Sequence, residues 1–393
     1  KANPAVVTSN SHGFSNGDEV FISSVLGMTE VNGKNFKVAS VSTNTFALQD
    51  MTSTNVNSTG FTTYSSAGNA ARVYTIVAPY LTAELFDIRF AQSADVMFLV
   101  HQNHPPQKLT RADHDDWTLA EVVFELGPMQ DDNTTATTFT SNGLSSSVTI
   151  TASAVTGING GAGFQTTDVG RLIKMLDGAA KITARNSTTE VVATVQTNAE
   201  LRAELLPTYV AGTISFKEGD PSLIVEITDD TILISPSDDL VDEAASSGNT
   251  ITGSIEATDE WALGAFSETT GFPATICFYE ERLVLGGTTE QPQTLFFSES
   301  GGFEQFQDGP EDADAMRYTI AAQTVDQIRF LMPGRVLIVG TSGGEFAASS
   351  SASGEPITPT NIQVKRQTTY GSAKVTPIQS GNAVLFLQRA RRK

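Results

Sequence analysis

The residues best suited to chemistry are two histidines, a histidine–aspartate run and two acidic groups. His101 and His104 stand close enough to share one metal ion on a turn. Only His114 lies nearby as a further imidazole, and Pro105-Pro106 implies an extended loop, so the pair reads as polar loop histidines. His114-Asp115-Asp116 sets a base beside carboxylates, as hydrolysis would need, but no serine or cysteine elbow accompanies it. A solvated turn between strands is expected there. Asp308, Glu311, Asp312 and Asp314 offer the hard oxygen atoms that calcium takes, without the twelve-residue calcium-loop pattern. Glu280-Glu281 would supply an acid and a base. Neighbouring strand residues point to opposite faces, which argues against a catalytic pair.

Gly340-Thr341-Ser342-Gly343-Gly344 is glycine-rich but lacks the lysine and following helix of a phosphate loop, so it predicts a tight turn. Cys277 is the only cysteine, which excludes an internal disulfide. Its apolar setting, Ala274 to Tyr279, predicts a buried small hydrophobe. Arg389, Arg391, Arg392 and Lys393 form the one strong basic run. It would touch DNA or an acidic neighbour, or else end a solvated strand. No spacing assembles a nucleophile, a base and an orienting group. The expectation is therefore no enzyme, with no catalytic, cofactor-binding or metal site and no cofactor.

The elements that would carry these residues are strands. The chain has 393 residues, suited to two to four domains, and is rich in turn-forming Gly, Pro, Ser, Thr and Asn. Residues 1–77 read as a small β-barrel with short strands at Ala5–Thr8, Glu19–Ser23, Asn35–Val41 and Thr45–Leu48. Asn32-Gly33 adds a hairpin signal. Gly163 to Val169 echoes Gly13 to Val20, and Lys181 to Val191 echoes Lys37 to Phe46. Residues 131–260 thus read as an inserted β domain holding a second small barrel, with one short helix at Asn198–Leu206.

Residues 78–130 and 261–393 have a different rhythm. Asp95–Val100, Arg282–Gly287 and Arg335–Gly340 are continuous apolar strands, each followed by a turn and a second strand. Ile88–Phe90, Ile276–Tyr279 and Ile328–Leu331 precede them. This is the pattern of β-propeller blades. Ala383–Leu387 would begin a fourth unit truncated by the chain end, and both ends read as cut from a longer polypeptide. The fold class expected is all-β: a propeller-like body with small β-barrel domains, one N-terminal and one inserted.

Charge narrows the function. The net charge is −20, and residues 131–260 alone carry −13. Such a chain lacks the basic surface that gains affinity by displacing counterions from phosphates. No apolar stretch approaches the ~18 residues of a membrane span.

Residues 1–77 resemble the small barrel of many phage tail proteins, named for its likeness to the FCCH domain of the ubiquitin-activating enzyme. The motifs are His12-Gly13-Phe14-Ser15-Asn16-Gly17-Asp18, Gly27-Met28-Thr29-Glu30-Val31-Asn32-Gly33 and Ser42-Thr43-Asn44-Thr45-Phe46. Four later segments resemble the nozzle, or tail tubular protein B, class of short-tailed phages: Gln92–His101, Phe278–Val284, Gly340–Phe346 and Arg366–Gly371. The resemblance implies a virion tail component: a homo-oligomeric ring, expected to be a hexamer, beneath the portal and adaptor. Its other partners would be neighbouring tail proteins, with tail fibres a further option. Genomic DNA would pass through its channel without specific binding. The competing readings are a receptor-binding or fibre-attachment protein whose barrels bind cell-surface glycan, and a propeller-fold glycosidase. With only Trp117 and Trp261 as tryptophans, provision for stacking on sugars is poor.

Overall fold

The computed structural model describes residues 1–124, 126–143, 146–175, 178–196, 257–322, 324–352, 354–381 and 383–389. Between 197 and 256 it describes only the strands Leu205–Pro207, Val225–Thr228, Thr231–Ile234 and Gly253–Ile255. The helix expected at Asn198–Leu206 falls largely outside the described residues, and its end lies in the first of these strands. The chain divides into two compact units: Lys1–Ala78 with Ala112–Trp117, and Pro79–Arg111 with Thr118–Lys393.

The first unit is built on a five-stranded antiparallel sheet. Its order across the sheet is Val6–Thr8, Thr45–Gln49, Lys34–Ala39, Glu19–Ser23 and Asn69–Val73. Alternation with period two turns Val20, Ile22, Phe36, Val38, Phe46 and Leu48 into one core. Asn32-Gly33 is not a two-residue hairpin. It closes a longer loop that contains the 3-10 turn Thr29–Val31. The Asn32 amide spans that loop, with Oδ1 accepting the Val25 N–H and Nδ2 donating to the Val25 carbonyl, both at 2.9 Å. Gly27 has φ 90°, and a Cβ there would stand 2.2 Å from the Thr63 carbonyl oxygen. Only glycine fits both the backbone and the space.

The expected second barrel takes the form of a six-stranded antiparallel sheet. In order across it lie Phe139–Ser141, Ser147–Ala152, Glu190–Val195, Gly178–Arg185, Leu172–Met175 and Trp261–Leu263. Apart from its first strand, it repeats the strand order of the first sheet. The sequence echo therefore reflects a shared topology. In each copy the aspartate of the Gly-Phe turn accepts the N–H three residues earlier: Ser15 to Asp18 at 2.9 Å and Gln165 to Asp168 at 2.7 Å. Trp261 supplies the last strand, so the expected boundary at residue 260 runs along the edge of this sheet. Its ring stacks on Phe139 at 4.0 Å and its Nε1 donates to the Thr137 carbonyl at 2.8 Å. It is core, closed to sugar.

Beside this sheet stand three four-stranded antiparallel sheets, each a meander in chain order. They run from Arg89–Ser93 to Asp116–Glu121, from Thr275–Tyr279 to Met316–Thr319, and from Ile328–Met332 to Ile362–Thr368. The opening strand of the second, Thr275–Tyr279, lies beside the opening strands of the other two. That is the arrangement of propeller blades around an axis. Ile378–Ser380 and Ala383–Leu385 form a further two-stranded pair. Pro105-Pro106 opens the strand His104–Asp113 where a loop was expected; extended backbone suits both prolines. Glu280 and Glu281 have φ 47° and 61°. They are the two turn residues of a tight hairpin closed by Tyr279 and Arg282. The expectation that they point to opposite faces of a strand does not hold.

The inserted sheet is tied to its stem by one buried cation. Arg171 is fully buried and meets Asp168 at 2.9 Å. It also donates to Asn159 Oδ1, to Gln130 Oε1 and to the Gly264 carbonyl. Four of its five N–H groups are used, which offsets the cost of burying it. Replacing Arg171 by Ala is expected to remove about 3–5 kcal/mol of stability, because it strands Asp168 in the interior. Denaturant titration checks this. In the first unit, Gly33→Ala should cost about 1–2 kcal/mol for its positive φ. Gly27→Ala should cost clearly more, because backbone rather than open space meets the new Cβ; thermal unfolding of the two variants compares them.

Candidate functional site

The hairpin between Val96–His101 and His104–Asp113 sets His101 and His104 directly opposite each other. Their ring centroids lie 5.2 Å apart, the separation of a cross-strand pair. Glu84 joins them from the 3-10 segment Thr82–Asp87, where it accepts the Leu81 N–H at 2.9 Å. His104 Nε2 lies 2.7 Å from Glu84 Oε2. The Asn103 side-chain amide reaches Oε1 at 3.4 Å, and the Asn103 N–H donates to His101 Nδ1 at 3.2 Å. Tyr80 packs edge-on against both imidazoles, at 6.2 and 5.4 Å. Its hydroxyl is buried and meets no hydrogen-bond partner among the described residues. One potential ligand atom each from Glu84, His101 and His104 falls within a mutual 4.8 Å. His101 is buried, and the other two are partly covered.

The electrostatics follow from these contacts. Hydrogen bonds from the Leu81 N–H and from His104 hold the Glu84 carboxyl down at about 2. Burial lowers the His101 imidazole, favouring its neutral form, and raises the Tyr80 phenol to about 12. The sequence spacing pointed to the two histidines. It did not point to Glu84 or Tyr80, which a separate segment brings in.

The other candidates have structural employment. His114 sits at an exposed hairpin tip, 3.0 Å from Asp113 and not paired with Asp115 or Asp116. Asp308 binds Arg317, which also reaches Asp131 at 3.1 Å. Asp314 accepts the Glu311 N–H, and Arg282 collects the Asp312 and Asp314 carbonyls. Two arginines therefore organise the acidic loop where calcium was considered. A cavity of about 300 Å³ opens there, lined by Asp131, Gln291, Thr294, Asp308 and Arg317. Burial raises the Asp308 carboxyl and the Arg317 charge opposes that. Glu280 Oε2 accepts the Ile357 N–H at 2.6 Å, which ties one sheet to a loop of the next. The Thr341 side chain caps Gly343 and Gly344 in the expected tight turn. Cys277 is buried in an apolar core and its thiol is raised by that burial, as a small hydrophobe should be. The Arg389 N–H bonds the Gly371 carbonyl; Arg391, Arg392 and Lys393 lie outside the described residues.

A depression of about 500 Å³ on the first barrel is bordered by His12, Phe14, Val41 and Thr43. The Arg72 guanidinium lies over the Phe14 ring at 5.6 Å, and Phe14 meets Phe46 edge-on at 5.3 Å. Those contacts already employ the aromatic surface that a sugar ring would stack on.

Residues 2–73 match the family model of the ubiquitin-activating enzyme E1 FCCH domain. The match covers the five-stranded barrel, and Cys277 lies outside it. No curated protein matches the chain. Among solved structures the comparison gives "Phage phi92 endosialidase", 12% identical with a TM-score of 0.13. It covers 95% of this chain, which spans 62% of that one.

The Glu84 contacts set a pH dependence. Its folded-state value lies below the ordinary 4.5. The stabilisation it brings is therefore complete above pH 4.5 and is lost as pH falls towards about 2. The lowered His101 acts with the same sign below its ordinary 6.5. Glu84→Gln should flatten the acid limb of a stability–pH curve between 4.5 and 2, as followed by thermal melts across that range.

Proposed function

We propose that this chain is a non-enzymatic structural protein of a phage tail, a subunit of a ring around the DNA exit channel. The observation that carries the reading is positional. Two of the four segments resembling tail nozzle proteins fall at corresponding places in the three-sheet body, and the other two lie in the third sheet. Gln92–His101 and Phe278–Val284 each span the hairpin between the first two strands of a sheet. Gly340–Phe346 spans the turn between the middle strands of the third sheet, and Arg366–Gly371 runs from the end of its last strand into the next turn. An FCCH-family barrel precedes them in the same chain. Resemblance in two equivalent hairpins and in two further segments is harder to obtain by chance than one turn motif.

Charge supports the same reading. A net charge of −20 would repel phosphates and let DNA slide. Self-repulsion between such subunits costs stability, so subunit contacts should be largely uncharged or pair opposite charges. The Asp308, Asp314, Glu280 and Glu84 carboxylates are held by an arginine, backbone N–H groups or histidine, which favours scaffolding over hydrolysis.

Native mass spectrometry of the purified chain should give a closed homo-oligomer, expected to be six-fold, and duplex DNA should bind weakly at physiological salt. A reconstruction of the intact particle should place the chain in the tail tube with acidic side chains outnumbering basic ones along the lumen. A peripheral fibre position, a lumen lined by Lys and Arg, or release of oligosaccharide from host envelope material would overturn the reading.

A further inference from the structure

We infer that Glu84, His101 and His104 form a binding site for one divalent transition-metal ion, of the zinc class. The donor set is two imidazoles and a carboxylate, which suits zinc and its neighbours better than calcium or magnesium. The geometry is near what coordination needs. Ligand atoms about 2.0–2.2 Å from a tetrahedral ion stand roughly 3.3–3.6 Å from one another, and here they lie within 4.8 Å. Side-chain movement of about an ångström brings them to tetrahedral spacing.

The surroundings fit as well. The hairpin and the Leu81 N–H hold two of the ligands from the backbone side, so little has to be ordered when an ion arrives. Glu84 Oε1 carries only the long contact from Asn103 and is open to a cation. Asn103 contacts both Glu84 and His101 from the turn, and its N–H would release the Nδ1 lone pair where His101 ligates through that nitrogen. Tyr80 walls the cluster with its ring, and its orphaned hydroxyl marks an unfilled polar demand beside the ligands.

Coordination is proton-balanced. The ion takes lone pairs from one ring nitrogen of each histidine and from a Glu84 oxygen, and each imidazole keeps one proton on its other ring nitrogen, so both ligate as neutral rings. The ion would pin Thr82–Asp87 to the first four-stranded sheet, a cross-link within one unit of the protein. Nothing in the inference depends on the tail reading; a chain outside a tail could hold the same ion.

The test uses the full chain stripped with chelator, then titrated with zinc chloride and with cobalt chloride. One saturating equivalent is expected, together with a rise in melting temperature and visible cobalt bands. Zinc-edge X-ray absorption on the wild type should report two histidine nitrogens, independently of any variant. Glu84→Gln, His101→Gln and His104→Ala, checked for folding by circular dichroism without metal, should each weaken binding at least tenfold. The exposed Asp113–His114–Asp115 group serves as the control, since its ligand atoms also lie close together. His114→Ala should leave binding unchanged. No saturable binding, a shell without two histidines, or loss of the site in His114→Ala rather than in His104→Ala would overturn the inference.

Discussion

The sheet from Thr275–Tyr279 to Met316–Thr319 has two buried faces, and the second unit depends on that. Ile276, Leu283, Leu285 and Phe296 pack with Phe98 and Val100 of the first sheet. Cys277, Tyr279, Val284, Leu295 and Phe297 pack with Leu337, Val339 and Phe346 of the third. A strand that alternates between two cores cannot slip by one residue without moving each set into the wrong one. It also explains the continuous apolar text of this region. A strand with one wet face alternates apolar and polar residues, whereas one covered on both sides does not. Apolar burial at about 25 cal/mol per Å² then acts on both faces at once.

The charged side chains buried in this body meet polar partners, while the Tyr80 hydroxyl meets none among the described residues. Arg171 is buried with a carboxylate, two amide oxygens and a carbonyl around it. Arg282, also buried, is spent on the carbonyls of Ser298, Asp312 and Asp314. Glu345 accepts from Thr368 and Ser372. Each is a long-range tie between segments far apart in the chain. Their common effect is to hold loops and insertions against sheets whose apolar faces alone set no azimuth. At the acidic loop 308–314, Arg317 meets the Asp308 carboxylate and Arg282 meets the Asp312 and Asp314 carbonyls.

The two barrels show what a short motif can and cannot specify. The Gly-Phe turn, its capping aspartate and the Ser-Thr turn are local, and each copy builds them from residues three or four apart. The closing strand is non-local. In the first barrel it follows at Asn69–Val73, and in the second it waits until Trp261–Leu263. No local pattern announces a partner that far along the chain. The boundary expected at 260 therefore lay along the edge of a sheet.

By itself the sequence determined the all-β class, the blade-like units and the turn at Gly340–Gly344, because hydrophobic period and turn chemistry are local quantities. It also determined that Cys277 is buried, since an apolar run on both sides leaves a thiol no water. Tertiary structure alone decided three things. Glu280 and Glu281 became turn residues, because strand pairing on either side sets where a chain reverses. The acidic loop went to Arg317 and Arg282, which lie in other strands. Glu84 and Tyr80 came to His101 and His104 because a 3-10 segment packs there. Each is a meeting of residues distant in sequence, and distance along the chain carries no information about such meetings until the sheets fix which surfaces face each other.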